Sequence, residues 1–444
     1  MTAMLAGAAQ VIITPPVGTF LEGYGARTSG SVGVHDDLHA RALVVDDGAT
    51  QAAIVSCDLI GIDRHTTAAV RALVAAATDI PAANVMVAAT HTHGGPVGMH
   101  RHDDDTLRDV QDRLIAGAVV EAWRNKQPSV LKAGRGSVDS VSQNRRDPAT
   151  PIDDALRVLL FDAPAHGDQP VASVVNFACH GTVLYHTNMQ FSADYPGYAL
   201  ETVRKIVGDA PSLFLNGACG DINPSWIEQD HSEAARVGSI VGAEAARRMQ
   251  ELRPLGHSHN AWNTSWNEIL PQSVATGDLI EPRIRVATRE VAVRLRDLGA
   301  PTDYDARIAD LDRQLASFSP TDADERHRLM EQWNFLRGSR TTSAFVRAPN
   351  EMNAEIQAIA LGKDCAILAL PGEFFAESGR EIQAAAALRH LIIACYANHH
   401  LMYVVPRHEF ARGGYEPGVS LLDEDAEEAF RAAAIDLLRE VTAS

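Results

Sequence analysis

Cysteine is scarce: five residues in 444, at Cys57, Cys179, Cys219, Cys365 and Cys395. The number is odd, no two form a CxxC pair, and most lie in apolar strand-like runs. They read as small buried hydrophobes in a reducing compartment and argue against a thiolate metal site. Basic residues are also few. Lys and Arg number 39 against 57 Asp and Glu, a formal net charge of −18. Nucleic-acid binding needs clustered cations, so a nucleic-acid partner is disfavoured. Long apolar runs are missing too: no segment reaches about 18 uninterrupted apolar residues. Met1–Gly18 lacks a basic region followed by an apolar stretch. The expectation is no signal peptide, no stable membrane insertion and a cytoplasmic location.

At 46% hydrophobic and 22% charged, the chain can bury a core without staples. Its length fits two or three domains, or one large α/β domain with insertions. The first 250 residues alternate strand-like and helix-like segments. Arg41–Asp46 and Ala52–Asp58 predict a hairpin, Asn84–Ala89, Leu156–Phe161, Ala172–Phe177 and Ser212–Leu215 further strands. Thr66–Ala77, Leu107–Arg124, Tyr198–Ile206 and Glu233–Glu251 predict helices. The pattern breaks at about 255–350, read as an insertion in which Asp305–Arg337 forms a helical hairpin broken near Ser319-Pro320. It resumes with strands at Asn353–Leu361, Cys365–Leu370 and Leu391–Tyr396, a helix at Ser378–Leu388 and a last helix at Asp423–Val441. This order predicts an α/β fold, a mixed sheet covered by helices, in a single domain over 1–444.

Three strand ends carry chemistry. Ala89-Thr90-His91-Thr92-His93-Gly94-Gly95-Pro96 follows a buried strand, where α/β proteins build sites. An HxH pair on extended backbone points both imidazoles to one side, as two metal ligands or as a ligand and its acid/base neighbour. Cys179-His180-Gly181 ends a second buried strand, with His186 as a further imidazole beyond the turn. Leu370-Pro371-Gly372-Glu373-Phe374-Phe375 puts a carboxylate among apolar neighbours, which is costly without a cation. Two His and one Glu with an open position make a catalytic zinc shell. Two glycine-rich turns, Leu21–Arg27 and Leu215–Pro224, have the character of pocket walls.

Together these segments resemble the catalytic domain of the neutral, non-lysosomal ceramidase family. The matching pieces run in order: Ile13-Thr14-Pro15-Pro16, Gly23-Tyr24-Gly25, His35-Asp36 with Ala40–Leu43, Ala89–Pro96, Asn144-Arg145, Asn176–Gly181, Gly220–Pro224, Pro371–Phe374 and Tyr403–Tyr415. They span nearly the whole chain except the inserted helices. The resemblance implies one zinc per chain held by His91, His180, Glu373 and Tyr403. It places Tyr415 at the substrate carbonyl, and His93 and Arg145 in the same pocket. Gly23, Gly25 and Asn223 fall on substrate-lining positions.

The chain also departs from the family. Members acting on ceramide carry Ser where this chain has Asn223, which cannot act as a nucleophile, so a metal-activated water remains. The expectation is that neither the family's C-terminal β-sandwich nor a secretion signal is present, which argues against a substrate embedded in membrane. The implied activity is hydrolysis of a non-peptide amide bond of a small-molecule substrate, with His93 as proton shuttle and Arg145 orienting the substrate. An esterase or lactonase on the same zinc, and a non-catalytic metal-binding protein, are the alternatives. Homo-oligomerisation stays open.

Overall fold

The computed structural model describes residues 4–97, 105–164, 169–253, 278–317, 323–343 and 351–443. Nine strands form one mixed sheet: β1 (Met4–Ile12), β2 (His39–Asp46), β3 (Gln51–Cys57), β4 (Val85–Ala89), β5 (Gln127–Ser137), β6 (Ala155–Ala163), β7 (Gln169–Phe177), β8 (Ser212–Asn216) and β9 (Asp278–Ile280). Their order is β8-β7-β6-β5-β1-β2-β3-β4, with β9 against β5. A second sheet, in chain order, joins β10 (Arg285–Arg294), β11 (Glu351–Gly362), β12 (Cys365–Ala369) and β13 (His390–Ala394).

The two sheets stack. Leu43, Ile54, Met86, Phe161 and Leu215 of the first pack against Ile359, Ile367 and Ile392 of the second. The pleat sends alternate residues to the outer face. There Val44, Val55 and Val87 meet helices α1 (Arg64–Ala77) and α2 (Asp105–Arg124) through Val70 and Val119. Helices α3 (Asp194–Val207) and α4 (His231–Glu251) extend this layer. On the far side, α7 (Ala376–Ala386) and α10 (Ala426–Thr442) cover the second sheet through Ile382, Phe430 and Leu437. The result is an α/β/β/α sandwich. Strands buried on both faces read as continuous apolar runs, which is why the sequence exposed them.

Each expected strand and helix is present, with ends moved by a few residues. Of these thirteen strands four went unread: the three-residue β9 and the longer β1, β5 and β10. β1 is rich in Ala and Gly, β5 carries Pro128, Lys132 and two glycines, and β10 alternates with charged residues. β1 and β5 lack the β-branched density that marks a strand, and the β-branched residues of β10 are diluted by Arg and Glu. β10 also corrects the boundary of the insertion: all ten of its residues pair antiparallel with β11, so this part of 255–350 is integral to the second sheet. The stretch 254–277 and the Ser319-Pro320 break lie outside the described residues.

The helical hairpin is α5 (Thr302–Ala316) and α6 (Ala323–Ser343). It has its own small core of Leu311, Leu329, Trp333 and Leu336, and the Trp333 indole donates to Asp312 at 2.7 Å. Among the described residues no helix is long and apolar enough to cross a membrane. Because this core is separate, Trp333→Ala should destabilise the hairpin by about 3 kcal/mol and leave the sheets intact. Hydrogen exchange would show faster exchange in 302–343 alone. Equal acceleration in β2 and β3 would mean that hairpin and sandwich open as one unit.

Candidate metal centre

The two ends of the first sheet come together: Ser56 Oγ on β3, next to edge strand β4, donates to the Phe214 carbonyl on the opposite edge strand β8 at 2.5 Å. Residues 395–398, which follow β13, fill the remaining gap. Cys395 N–H donates to Asn216, Ala89 N–H to Tyr396, and Asn398 N–H to Val87. The C-terminal ends of β4, β7, β8 and β12 thereby point their loops at one spot. The Asn216 side chain binds two of those loops together. Its carboxamide donates to the Thr90 carbonyl at 3.0 Å and the Cys179 carbonyl at 2.9 Å, the residues just before His91 and His180. Thr92 and Gly181 bridge next to it, and a Cβ on Gly181 would lie 2.6 Å from the His91 carbonyl, so only glycine lets the loops cross.

His91, His93 and His180 cluster there, their ring nitrogens within 4.8 Å of one another. His91 is buried and holds a φ of 66°, while Tyr396, whose ring stacks on it at 3.9 Å, holds 58°. Met402 and Asn398 also take positive φ, a concentration of strain that marks functional loops. Nδ1 of His91 lies 2.7 Å from the Ile60 carbonyl, and Nδ1 of His180 lies 2.7 Å from the Cys219 carbonyl. A carbonyl only accepts, so both Nδ1 atoms carry the proton and both Nε2 atoms present lone pairs. These face Glu373 Oε2 at 3.5 and 3.2 Å.

Nε2 of His180 and Oε2 of Glu373 are buried and have no directed hydrogen bond. Burial, then Arg145, pushes the His180 imidazole down to about 4, so it is neutral at neutral pH. Burial alone would raise the Glu373 carboxyl, but His91, His180 and His400 outweigh it and hold the group well below the carboxylate range. Two lone pairs and an anionic oxygen in a buried space repel unless a cation lies between them. The residues fit a metal.

His93 differs from the other two imidazoles. Its Nε2 is 3.3 Å from His91 Nε2, but its Nδ1 has no hydrogen-bond partner. The loop Leu21–Arg27 holds it: Arg27 donates to its carbonyl at 2.6 Å, and the Tyr24 ring lies 5.0 Å from it. Gly23, at φ 98°, is required, since a Cβ would come within 2.4 Å of His93 Nδ1. Gly25 has open space where a Cβ would be. His186 stays outside the cluster, its ring against Tyr185.

Arg145 spends four N–H groups on the protein: Nε on Glu416 (2.7 Å), Nη1 on Asn223 (3.1 Å), and Nη2 on Gly220 (2.8 Å) and the Tyr403 hydroxyl (2.9 Å). One of its five donors remains, so this arginine orients protein groups rather than gripping a ligand. Glu416 also takes Arg146 at 2.6 Å, which pins α9 (Tyr415–Val419) and with it Tyr415. Tyr415 is 39% exposed, its ring 5.8 Å from that of Tyr403. The hairpin reaches this rim. Phe335 packs on Gly418, Gly338 lies against Tyr415, and Ala26 joins the hairpin core on the other side.

Sequence reasoning missed His400, whose Nε2 is 3.4 Å from Glu373 Oε1 and whose Nδ1 accepts from Met402 N–H. The His399-His400 pair just past a core strand was the available signal. It also missed Asp221, which accepts from Asn144 and from Ala376 N–H and so fixes the loop beside Glu373. Glu416 could not be foreseen, because its partners lie 270 residues away.

Replacing Asn216 by Ala removes donors from two buried carbonyls and should cost about 2–4 kcal/mol. Asn216→Asp, which accepts but cannot donate, should do no better. Thermal unfolding and metal content measured together test this; unchanged stability in both variants would deny Asn216 its role. Glu416 supplies a pH dependence. Burial raises its pKa, but Arg145 and Arg146 lower it further, so the net shift is downward. A lowered folded pKa gives stability that is full above the ordinary glutamate value of about 4.3 and lost as pH falls below it. Glu416→Gln should lose about 3 kcal/mol at pH 7 and lack that part of the acid transition. Parallel urea curves for both proteins from pH 7 to pH 3 would count against it.

Residues 4–225, half of the chain, match the family described as neutral/alkaline non-lysosomal ceramidase, N-terminal. The chain is 23% identical over 479 residues to the neutral ceramidase of Pseudomonas aeruginosa, covering 94% of this chain and 68% of that protein. It is 26% identical over 244 residues to neutral ceramidase B of Dictyostelium discoideum, covering 46% of this chain and 33% of that one. The crystal structure of the Pseudomonas aeruginosa neutral ceramidase superposes with a TM-score of 0.71 at 20% identity, over 99% of this chain and 74% of that chain. A ceramidase complexed with C2 superposes at 0.73, over 99% and 75%. With half its length matching that family and its two stacked sheets matching these folds, the chain belongs to the neutral/alkaline non-lysosomal ceramidase family.

Proposed function

We propose that this protein is a zinc-dependent hydrolase of an amide bond in an N-acyl substrate, with one zinc held by His91, His180, Glu373 and Tyr403. The observation that carries the reading is the pair of Nε2 lone pairs facing the Glu373 carboxylate in a buried space. The relatives support the bond type, since they are named neutral ceramidases. Two imidazoles fixed through Nδ1 by backbone carbonyls are the usual dress of metal-binding histidines. His93 lacks such a partner, which favours it as the proton carrier beside the metal.

Zinc at this centre supplies Lewis acidity, which polarises the acyl carbonyl and acidifies water. The protein supplies the rest. Burial, then the neighbouring His91 and His180, holds the His93 imidazole well below its usual pKa, so it is neutral and free to accept. As water oxygen bonds to the acyl carbon, His93 takes the proton released. It returns a proton to the nitrogen as the C–N bond breaks, leaving a carboxylic acid and an amine. The Tyr415 hydroxyl, at the mouth, donates to the carbonyl oxygen as charge builds, a contribution of about 3 kcal/mol. Arg145 is a positioning residue that holds the Tyr403 hydroxyl and the Asn223 amide. Gly23 gives His93 its place, and Asn223 contributes no nucleophile.

His180→Ala and Glu373→Ala should each copurify without zinc and without activity on N-acyl substrates. His93→Ala should keep its zinc and lose turnover by about 10²–10⁴-fold. Elemental analysis beside kinetics decides the assignment. A metal-free His93→Ala with a metal-replete His91→Ala would reverse the two roles. Asn223→Ala should retain substantial turnover; an acyl group trapped on a serine would overturn the metal-activated water.

A further inference from the structure

A cavity of about 350 Å³ lies away from the metal centre, between β5, β6, α7 and the start of β13. Arg135, Arg157, Arg380 and Arg389 line it, in a chain whose net charge is −18. Arg389 and His390 share Asp278, outside the lining. Arg157 is 9% exposed and pairs with Asp153 at 3.0 Å. The other lining carboxylate, Asp154, accepts from the Ser137 hydroxyl. Among the described residues neither Arg135 nor Arg380 has a carboxylate partner, and Arg380 Nε is buried without an acceptor. Burial lowers the Arg157 pKa, Asp153 opposes the shift, and the charge of Arg135 deepens it. Asp153 and Asp154 offset Arg157, but the buried Nε of Arg380 and the exposed Arg135 add guanidinium charge that no carboxylate of the lining takes up, an arrangement that an anion relieves. The rest of the wall is apolar, with Ile152, Leu388 and Ile392.

We propose that this cavity is a binding site for a small organic anion, an oxyacid head on Arg135, Arg157 and Arg380 with a short apolar body against Ile152, Leu388 and Ile392. A fork of guanidinium donors recognises the planar edge of a carboxylate or the face of a phosphate. The apolar wall selects for a ligand with carbon attached over a bare ion. The site is independent of the metal chemistry. It does touch α7, which starts three residues after Glu373, so its occupancy can be read in stability as well as in binding.

Calorimetric titration of the whole protein with hexanoate, acetate and inorganic phosphate tests it. Hexanoate should bind saturably and more tightly than acetate. Arg135→Gln and Arg380→Gln should each weaken it about ten-fold or more, the loss of one charge-assisted hydrogen bond. Ala384→Phe, which fills the cavity from exposed positions on α7, should block it without touching an arginine. Carboxylate bound at the metal centre would be indifferent to all three changes, so hexanoate binding that persists in them overturns the proposal. So does the absence of saturable binding to the unmodified protein. Phosphate binding as tightly as hexanoate overturns the apolar part and leaves a bare anion site. Circular dichroism and melting of each variant exclude unfolding as the cause of a loss.

Discussion

The Asn216 carboxamide is the contact on which the site depends. Edge strand β4 and strand β7, second from the opposite edge, end in histidine-bearing loops, which meet where Thr92 bridges Gly181 and His93 N–H donates to the Gly181 carbonyl. One amide group in the protein interior donates to the carbonyl before each histidine. Its oxygen accepts from Cys179 N–H and the Cys219 thiol, so the group is fully used. A buried amide left unpaired is expensive, so the two loops hold a single relative position. Hydrophobic stacking of the sheets brings the edges near, but it is non-directional. The hydrogen bonds are directional and fix where the two loops stand.

A second constraint is electrostatic and works further out. Arg145, Glu416, Arg146 and Glu409 form a chain of partly buried charges that runs from Asn223 to the short helix α8 (Arg407–Arg412). Such pairs add little net stability over an apolar filling, but breaking one strands the other. Their value lies in direction: each guanidinium fork sets the angle of the loop it holds. The tyrosines are placed by this lattice, as the histidines are by the backbone.

The sequence displayed the parts of the protein that depend on local pattern. Apolar runs buried on both faces located β2, β3, β4 and β7, and the histidines stood just past two of them. Glu373 showed itself because an acid among Phe residues needs a partner. Chain order could not reveal what long-range pairing decides. β10 alternates like a surface strand because one of its faces is only half covered. The tautomer of His91 is set by Ile60, and the confinement of Arg145 by residues hundreds of positions later. Arg145 therefore read as a substrate contact, whereas the folded protein uses nearly all its donors internally.

The bridge formed by residues 395–398 has a consequence for synthesis. Both imidazole-bearing segments leave the ribosome long before the carboxylate does. At roughly 5–20 residues per second, the gap between His180 and Glu373 is on the order of 10–40 s. During that interval β4 and β8 have unpaired edges at the ends that later receive Cys395–Asn398, and open edges recruit other strands. The nascent chain thus carries two adhesive rims and a half-made metal site until residues 373–398 emerge. The time for which those rims stand open is then a hazard separate from the stability of the finished fold.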